Sequence, residues 1–131
     1  MQRKFLLFIS TLLLAVFTYT SCTSDKLPEP EPPSECEMLM SSYNNNIKQI
    51  VAKSCAISNC HVQGTSVPGD YRTYNGMLSA INSGKIKTRI IDYRDDPEAG
   101  MPPDDSNGPS DLSDEEFLIF QCWILDNYPE N

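Results

Sequence analysis

Histidine is nearly absent from this chain of 131 residues: His61 is the only one. Hydrolytic catalysis of the Ser-His-Asp kind needs an imidazole free to act as general base, and the one available is pressed against Cys60. A tetrahedral zinc site is disfavoured by the same count, because no second spaced pair of Cys or His ligands follows. Basic side chains are also few, 10 Lys and Arg against 18 Asp and Glu, for a formal charge of −8. Such a balance gives no electrostatic reason to bind nucleic acid or anionic head groups. Segments of strand character are scarce, there is no internal repeat, and the length holds one domain at most. Asp104-Asp105-Ser106-Asn107-Gly108 is not a calcium loop, since counting back from the glycine puts Pro103 at the first ligand position.

The one long apolar run is Phe5 to Phe17, behind Arg3 and Lys4 and ahead of Tyr19-Thr20-Ser21-Cys22. It is too short for a comfortable bilayer span and has the three-part form of an export signal covering residues 1–21. Its end resembles a bacterial lipobox, which would make Cys22 the lipidated amino terminus of the mature chain. Tyr19 replaces the aliphatic residue usual three before that cysteine. Removal of the signal leaves 8 basic against 18 acidic side chains, a formal charge of −10. Macromolecular partners should therefore present basic surfaces. Residues 22–35 then form an anchor and tether, in which alternating Pro and Glu favour an extended, self-repelling chain.

The folded domain, residues 36–131, reads as all-α, with three or four short helices and long loops. Ser34 and Glu37 have the spacing of a capping box, and Cys36, Met40, Tyr43, Ile47, Ile50 and Val51 fall on one helical face, with a weak middle at Asn44-Asn45-Asn46. Thr73 caps a second helix running from Tyr74 to about Ser83, with Met77, Leu78 and Ile81 inward and Gly84 as the stop. From Ile86 to Ser110 the pattern is irregular and rich in Pro, Gly and carboxylates. A loop of that length in so small a domain is functional or disordered. Ser113 and Glu116 open the last helix with a capping box, and Phe117 to Leu125 is nearly all apolar.

Chemistry concentrates in Cys55-Ala56-Ile57-Ser58-Asn59-Cys60-His61 and in Met101-Pro102-Pro103. Two thiols can add across the vinyl groups of a haem, the adjacent imidazole can take one face of its iron, and a thioether can take the other. Met38, Met40 and Met77 lie in helical patterns where packing explains them. Met101 follows Gly100 and precedes two prolines that restrict its backbone, so a thioether there has little entropy left to lose on ligation. Five cysteines in an exported chain need partners. If Cys22 carries lipid and Cys55 with Cys60 carry haem, Cys36 and Cys122 remain to pair. Without haem, the four non-lipid cysteines allow three pairings. Packing the first helix on the last could bring Cys36 and Cys122 within reach.

Cys55 to His61, the Pro68-Gly69-Asp70-Tyr71 turn, Arg89, the Met101-Pro102-Pro103 loop and Leu112-Ser113-Asp114-Glu115-Glu116 through Trp123-Ile124 carry a further resemblance. Together they resemble the small class I type c cytochromes, in a bacterial lipoprotein branch similar to the planctomycete-type cytochrome c domain. The likeness covers residues 36–131. It implies a cytochrome c-like fold around one covalent haem c, with Cys55 and Cys60 as thioethers and His61 and Met101 as axial ligands. It also implies that the first and last helices pack together and that Trp123 lies beside the haem. The four residues between the cysteines, where two are usual, are the main departure.

The sequence therefore predicts a monohaem electron carrier rather than an enzyme. It would work outside the cytoplasm, anchored by lipid to the cell envelope, and exchange electrons with redox proteins. Two rivals use the same residues differently. One is a haem enzyme or gas sensor in which Met101 yields its place to a small molecule, and the other is a disulfide-stapled interaction lipoprotein without haem.

Overall fold

The computed structural model describes residues 33–131, which belong to one compact unit, Pro32–Asn131. The export signal, Cys22 and most of the Pro/Glu tether lie outside the described residues. Among those described there is no strand, and four α-helices are present: α1 (Lys48–Ser54), α2 (Tyr74–Asn82), α3 (Lys85–Lys87) and α4 (Asp114–Leu125). No helix among them is long and apolar enough to cross a membrane. The all-α class expected from the sequence is what the described residues adopt.

The first helical region is built differently from the expectation. Ser34–Glu37 is a single 3₁₀ turn without a side-chain cap, and the chain leaves helical geometry before Ser42. Ser42 is the actual cap: its hydroxyl accepts the Asn45 N–H, while its own N–H donates to the Asn46 side chain at 3.1 Å. Residues Tyr43–Ile47 follow in π geometry and run directly into α1. Met40, expected inward, is 84% exposed because the break at residues 38–42 removes it from the helical face. Tyr43, Ile47, Ile50 and Val51 remain inward and are buried.

The carboxyl-terminal tail completes that first helix. The Tyr43 and Asn44 N–H groups, orphans at a helix start, donate to the Pro129 and Glu130 carbonyls at 2.9 and 3.0 Å. Trp123 Nε1 donates to the same Pro129 carbonyl at 2.9 Å. The tail thus ties the two ends of the domain together. Beside it, Cys36 and Cys122 form a disulfide across 86 residues of sequence, as the pairing of leftover cysteines predicted.

Helix α4 is central, as its apolar run demands. Ser113 and Glu116 make both bonds of the capping box. Phe120, Cys122 and Trp123 are buried, and Trp123 meets Phe120 and Tyr128 edge to face at 6.0 and 5.1 Å. Burial of side chains this large contributes about 1.5–3 kcal/mol each. Arg94 sits 4.0 Å from the Phe117 ring centroid and donates to Asp114 at 3.1 Å, which holds the start of the long loop against α4.

The region 85–92 corrects the reading of an irregular stretch from Ile86 onward. After Thr73-capped α2 stops at Gly84, whose φ is +71°, the chain re-enters a helix as α3 and continues through Thr88–Asp92 in π geometry. Ile86 and Ile90, four residues apart, are both buried. Within α2, Met77 and Ala80 are buried whereas Leu78 and Ile81 are only half-buried.

Candidate functional site

Helix α1 ends at Cys55, and the next six residues turn back on it. The Cys60 N–H donates to the Ile57 carbonyl, and Asn59 takes a left-handed φ of +67° that lets the turn close. The His61 N–H then donates to the Cys55 carbonyl at 3.1 Å. The four intervening residues form a turn of their own, and the histidine backbone returns beside the first cysteine. Thr65 secures the far side, its hydroxyl donating to the Cys60 carbonyl at 2.6 Å. Both cysteines are unpaired thiols.

The imidazole is gripped at one edge. His61 Nδ1 lies 2.9 Å from the Pro68 carbonyl oxygen, which can only accept, so Nδ1 carries the proton and Nε2 keeps a free lone pair. A metal-binding histidine needs that arrangement, its second nitrogen held by a carbonyl. Burial pushes the His61 pKa below its ordinary value, against the opposing pull of the Pro68 hydrogen bond. The ring is accordingly neutral near pH 7. Burial, with smaller contributions from Cys60 and Glu116, pushes the Cys55 thiol up to about 12, so it is held as S–H.

A cavity of about 270 Å³ opens against this loop. Cys55, Cys60, His61 and Met101 all line it, bringing together every thioether and axial-ligand candidate from two segments forty residues apart. Its wall is otherwise mostly apolar, with Val51, Ile86, Ile90 and Phe120 prominent, and two cations, Lys85 and Arg89, stand one turn apart on it. Ser54 also lines it, with a buried hydroxyl that has no hydrogen-bond partner among the described residues.

The Met101 loop is fastened by one residue. Arg89 accepts the Met101 N–H through its carbonyl at 3.0 Å and donates from its guanidinium to the Ala99 carbonyl at 2.8 Å. Asp96 folds the preceding turn by accepting the Glu98 and Ala99 N–H groups, and these bonds hold its carboxyl below the usual range. Gly100 is buried there, and a Cβ at that position would stand 2.7 Å from the Tyr93 carbonyl. Met77, read from the sequence as a packing residue, is 1% exposed and also lines the cavity.

Trp123 lies behind the cavity wall. It is fully buried and does not line the cavity; Phe120, one turn earlier on α4, does. The indole is drawn away by its hydrogen bond to Pro129 and supports the wall from behind through Phe120. Sequence reasoning missed Phe120, Lys85, Ile86 and Ile90. The four-residue spacing of Ile86 and Ile90 was the available signal.

Among the described residues no three His, Cys, Asp or Glu side chains are grouped to hold a metal ion. The donor set suits instead a group that brings its own equatorial ligands and takes only one or two from protein. No family profile matches the chain, and neither curated proteins nor solved structures include a match to it.

Proposed function

We propose that this domain is a monohaem c-type cytochrome that passes single electrons between redox partners outside the cytoplasm. The observation that carries the reading is the convergence of Cys55, Cys60, His61 and Met101 on one apolar cavity, with His61 Nδ1 bonded to Pro68. Each thiol would add across one vinyl group of the porphyrin, its sulfur bonding to one carbon and its hydrogen passing to the other. His61 Nε2 and Met101 Sδ would be the axial ligands, and the bound haem would supply a one-electron ferric/ferrous couple. Pro68 keeps the imidazole in the ligating tautomer. Arg89 keeps the thioether loop in place, and a neutral thioether favours the ferrous state. If His61 and Met101 both bound the iron, no position on it would be left for a substrate, which is why a carrier rather than an enzyme is proposed.

Export and anchoring through lipidated Cys22 belong to the same proposal. So does docking to a basic redox partner. Asp92, Asp95, Asp96, Glu98, Asp104 and Asp105 surround Met101 in sequence and are all exposed.

The test is an absorption spectrum of protein matured with haem-attachment machinery. A Soret band that survives acid-acetone extraction in the wild type, but not in a Cys55→Ser/Cys60→Ser variant, is expected. A weak ferric charge-transfer band in the far red would report the thioether ligand, and it should be lost in Met101→Ala. Wild-type protein purified without haem under these conditions would overturn the proposal.

A further inference from the structure

Tyr71 grips the face of the imidazole whose edge Pro68 holds. The two rings are stacked, with centroids 3.9 Å apart and planes within 4° of each other. Two hydrogen bonds, one of them from a buried side chain, make this a fixed arrangement. The Tyr71 N–H donates to the His61 carbonyl at 3.0 Å, Tyr43 Oη donates to the Tyr71 carbonyl at 3.0 Å, and Tyr43 itself is 2% exposed. The turn between Pro68 and Tyr71 is shaped for the purpose. Gly69 has a φ of +91°, and a Cβ there would stand 2.4 Å from Tyr71 Cε1. Only glycine lets the phenol ring lie where it does.

Tyr71 lines the cavity as well. A hydrogen bond at Nδ1 fixes the tautomer and one direction, but leaves the ring free to rotate about the line joining Nδ1 to its acceptor. A parallel aromatic face removes that rotation, because turning the imidazole out of plane drives its edge into the neighbouring ring.

We propose that Tyr71 is a positioning residue that sets the plane of the His61 imidazole, and hence the orientation of the axial ligand at the iron; this rests on the haem reading above. The hydroxyl has no part in it, since the stack needs only the ring. Replacement by phenylalanine therefore preserves the function, and replacement by leucine, which removes the flat aromatic face, abolishes it.

The experiment uses the haem-loaded full chain, with haem content per protein measured first by pyridine haemochrome. Proton NMR of the ferric protein then reads the order and spread of the four haem methyl resonances, which depend on the direction of the axial imidazole plane. Tyr71→Phe should reproduce the wild-type pattern, and Tyr71→Leu should reorder or compress it at unchanged haem content. If Tyr71→Leu does not fold, Gly69→Ala pushes the ring off the imidazole and should give the same change. A wild-type methyl pattern in fully loaded Tyr71→Leu or Gly69→Ala overturns the assignment while leaving the haem reading intact. Absence of haem from the wild type overturns the reading beneath it, and the assignment with it.

Discussion

Removing the Cys36–Cys122 disulfide should cost the domain a large share of its stability. The bridge closes a loop across 86 residues. In the chain-entropy treatment, releasing a loop of that length returns about 15 cal/mol/K to the unfolded chain, or roughly 4.6 kcal/mol at 25 °C. Domains of this size have only about 5–15 kcal/mol in total. The sulfur of Cys122 is also buried, whereas Cys36 is half-buried, so truncation leaves a small void at one end only. Replacing both residues by alanine is preferable to replacing one, because a lone thiol at either position can exchange with Cys55 or Cys60. The assay is equilibrium urea unfolding of the wild type and the Cys36→Ala/Cys122→Ala variant, in the same haem state, followed by tryptophan fluorescence at Trp123. With a urea slope of about 1–3 kcal/mol/M, the midpoint should fall by roughly 1.5–4.6 M. A midpoint within a few tenths of molar of the wild type, at unchanged slope, would refute the loop-entropy argument and leave the bridge as a decoration on a fold held by α4 packing alone.

Three further outcomes follow from the site and its surroundings. Met101→Ala should keep the haem, lower its potential and admit carbon monoxide to the ferrous iron, whereas Met77→Ala should leave ligand spectra unchanged and cost about 2–5 kcal/mol of packing; carbon monoxide difference spectra and urea melts separate the two, and the opposite pattern would make Met77 the ligand. The Lys53 ammonium, 2.7 Å away, holds the Glu116 carboxyl below its ordinary pKa, so the ionised form favours the folded state. Its contribution is fully present above about pH 4.5 and is lost as pH falls through the lower folded value; relative to Glu116→Gln, the wild type should be more stable by at most about 1 kcal/mol near neutrality, with that margin closing only in acid, and a margin independent of pH would exclude the ion pair as its source. Stopped-flow electron transfer to a basic redox protein should slow as salt rises, over a screening length of about 10 Å at 0.1 M; a rate indifferent to salt would leave the exposed carboxylates around Met101 with no role in docking.

What could be read from the sequence was what local chemistry determines. Ser113 and Glu116 announce α4 because a capping box is made within four residues, and Thr73 with Gly84 brackets α2 for the same reason. The Cys36–Cys122 pairing, which the structure forms, followed from the count only with Cys55 and Cys60 set aside for haem; otherwise three pairings stayed open, and the packing of the first helix on the last favoured this one. The errors share a different cause. Met40 fits a 3.6-residue face only if the helix begins at Ser34, but the true cap, Ser42, wins because the tail carbonyls of Pro129 and Glu130 wait for the Tyr43 and Asn44 N–H groups. Those acceptors lie more than eighty residues away, beyond any local signal. The helix at 85–92 was hidden because its second half is wound in π geometry and β-branched residues interrupt it, so the expected period is blurred just where the Pro- and Gly-rich stretch begins.

The site shows the same division, and it bears on the main departure from the family that the sequence resembles. Four residues between the cysteines, rather than two, would carry His61 away from Cys55 if the chain ran on in a single helical sense. It does not, because Asn59 reverses locally and the Ile57–Cys60 turn takes up the extra length. The His61 N–H to Cys55 carbonyl bond then restores the proximity that a single turn of backbone supplies in the shorter motif. The added residues are placed where they alter neither thiol nor imidazole: Ser58 and Asn59 are exposed, and Ile57 packs toward Gly108, where any side chain would meet its Cδ1 at 2.7 Å. Under the haem reading proposed above, what counts is where the two sulfurs and the imidazole nitrogen lie rather than the spacing itself, and this turn, with its one left-handed residue, returns His61 to the side of Cys55 in spite of the longer loop.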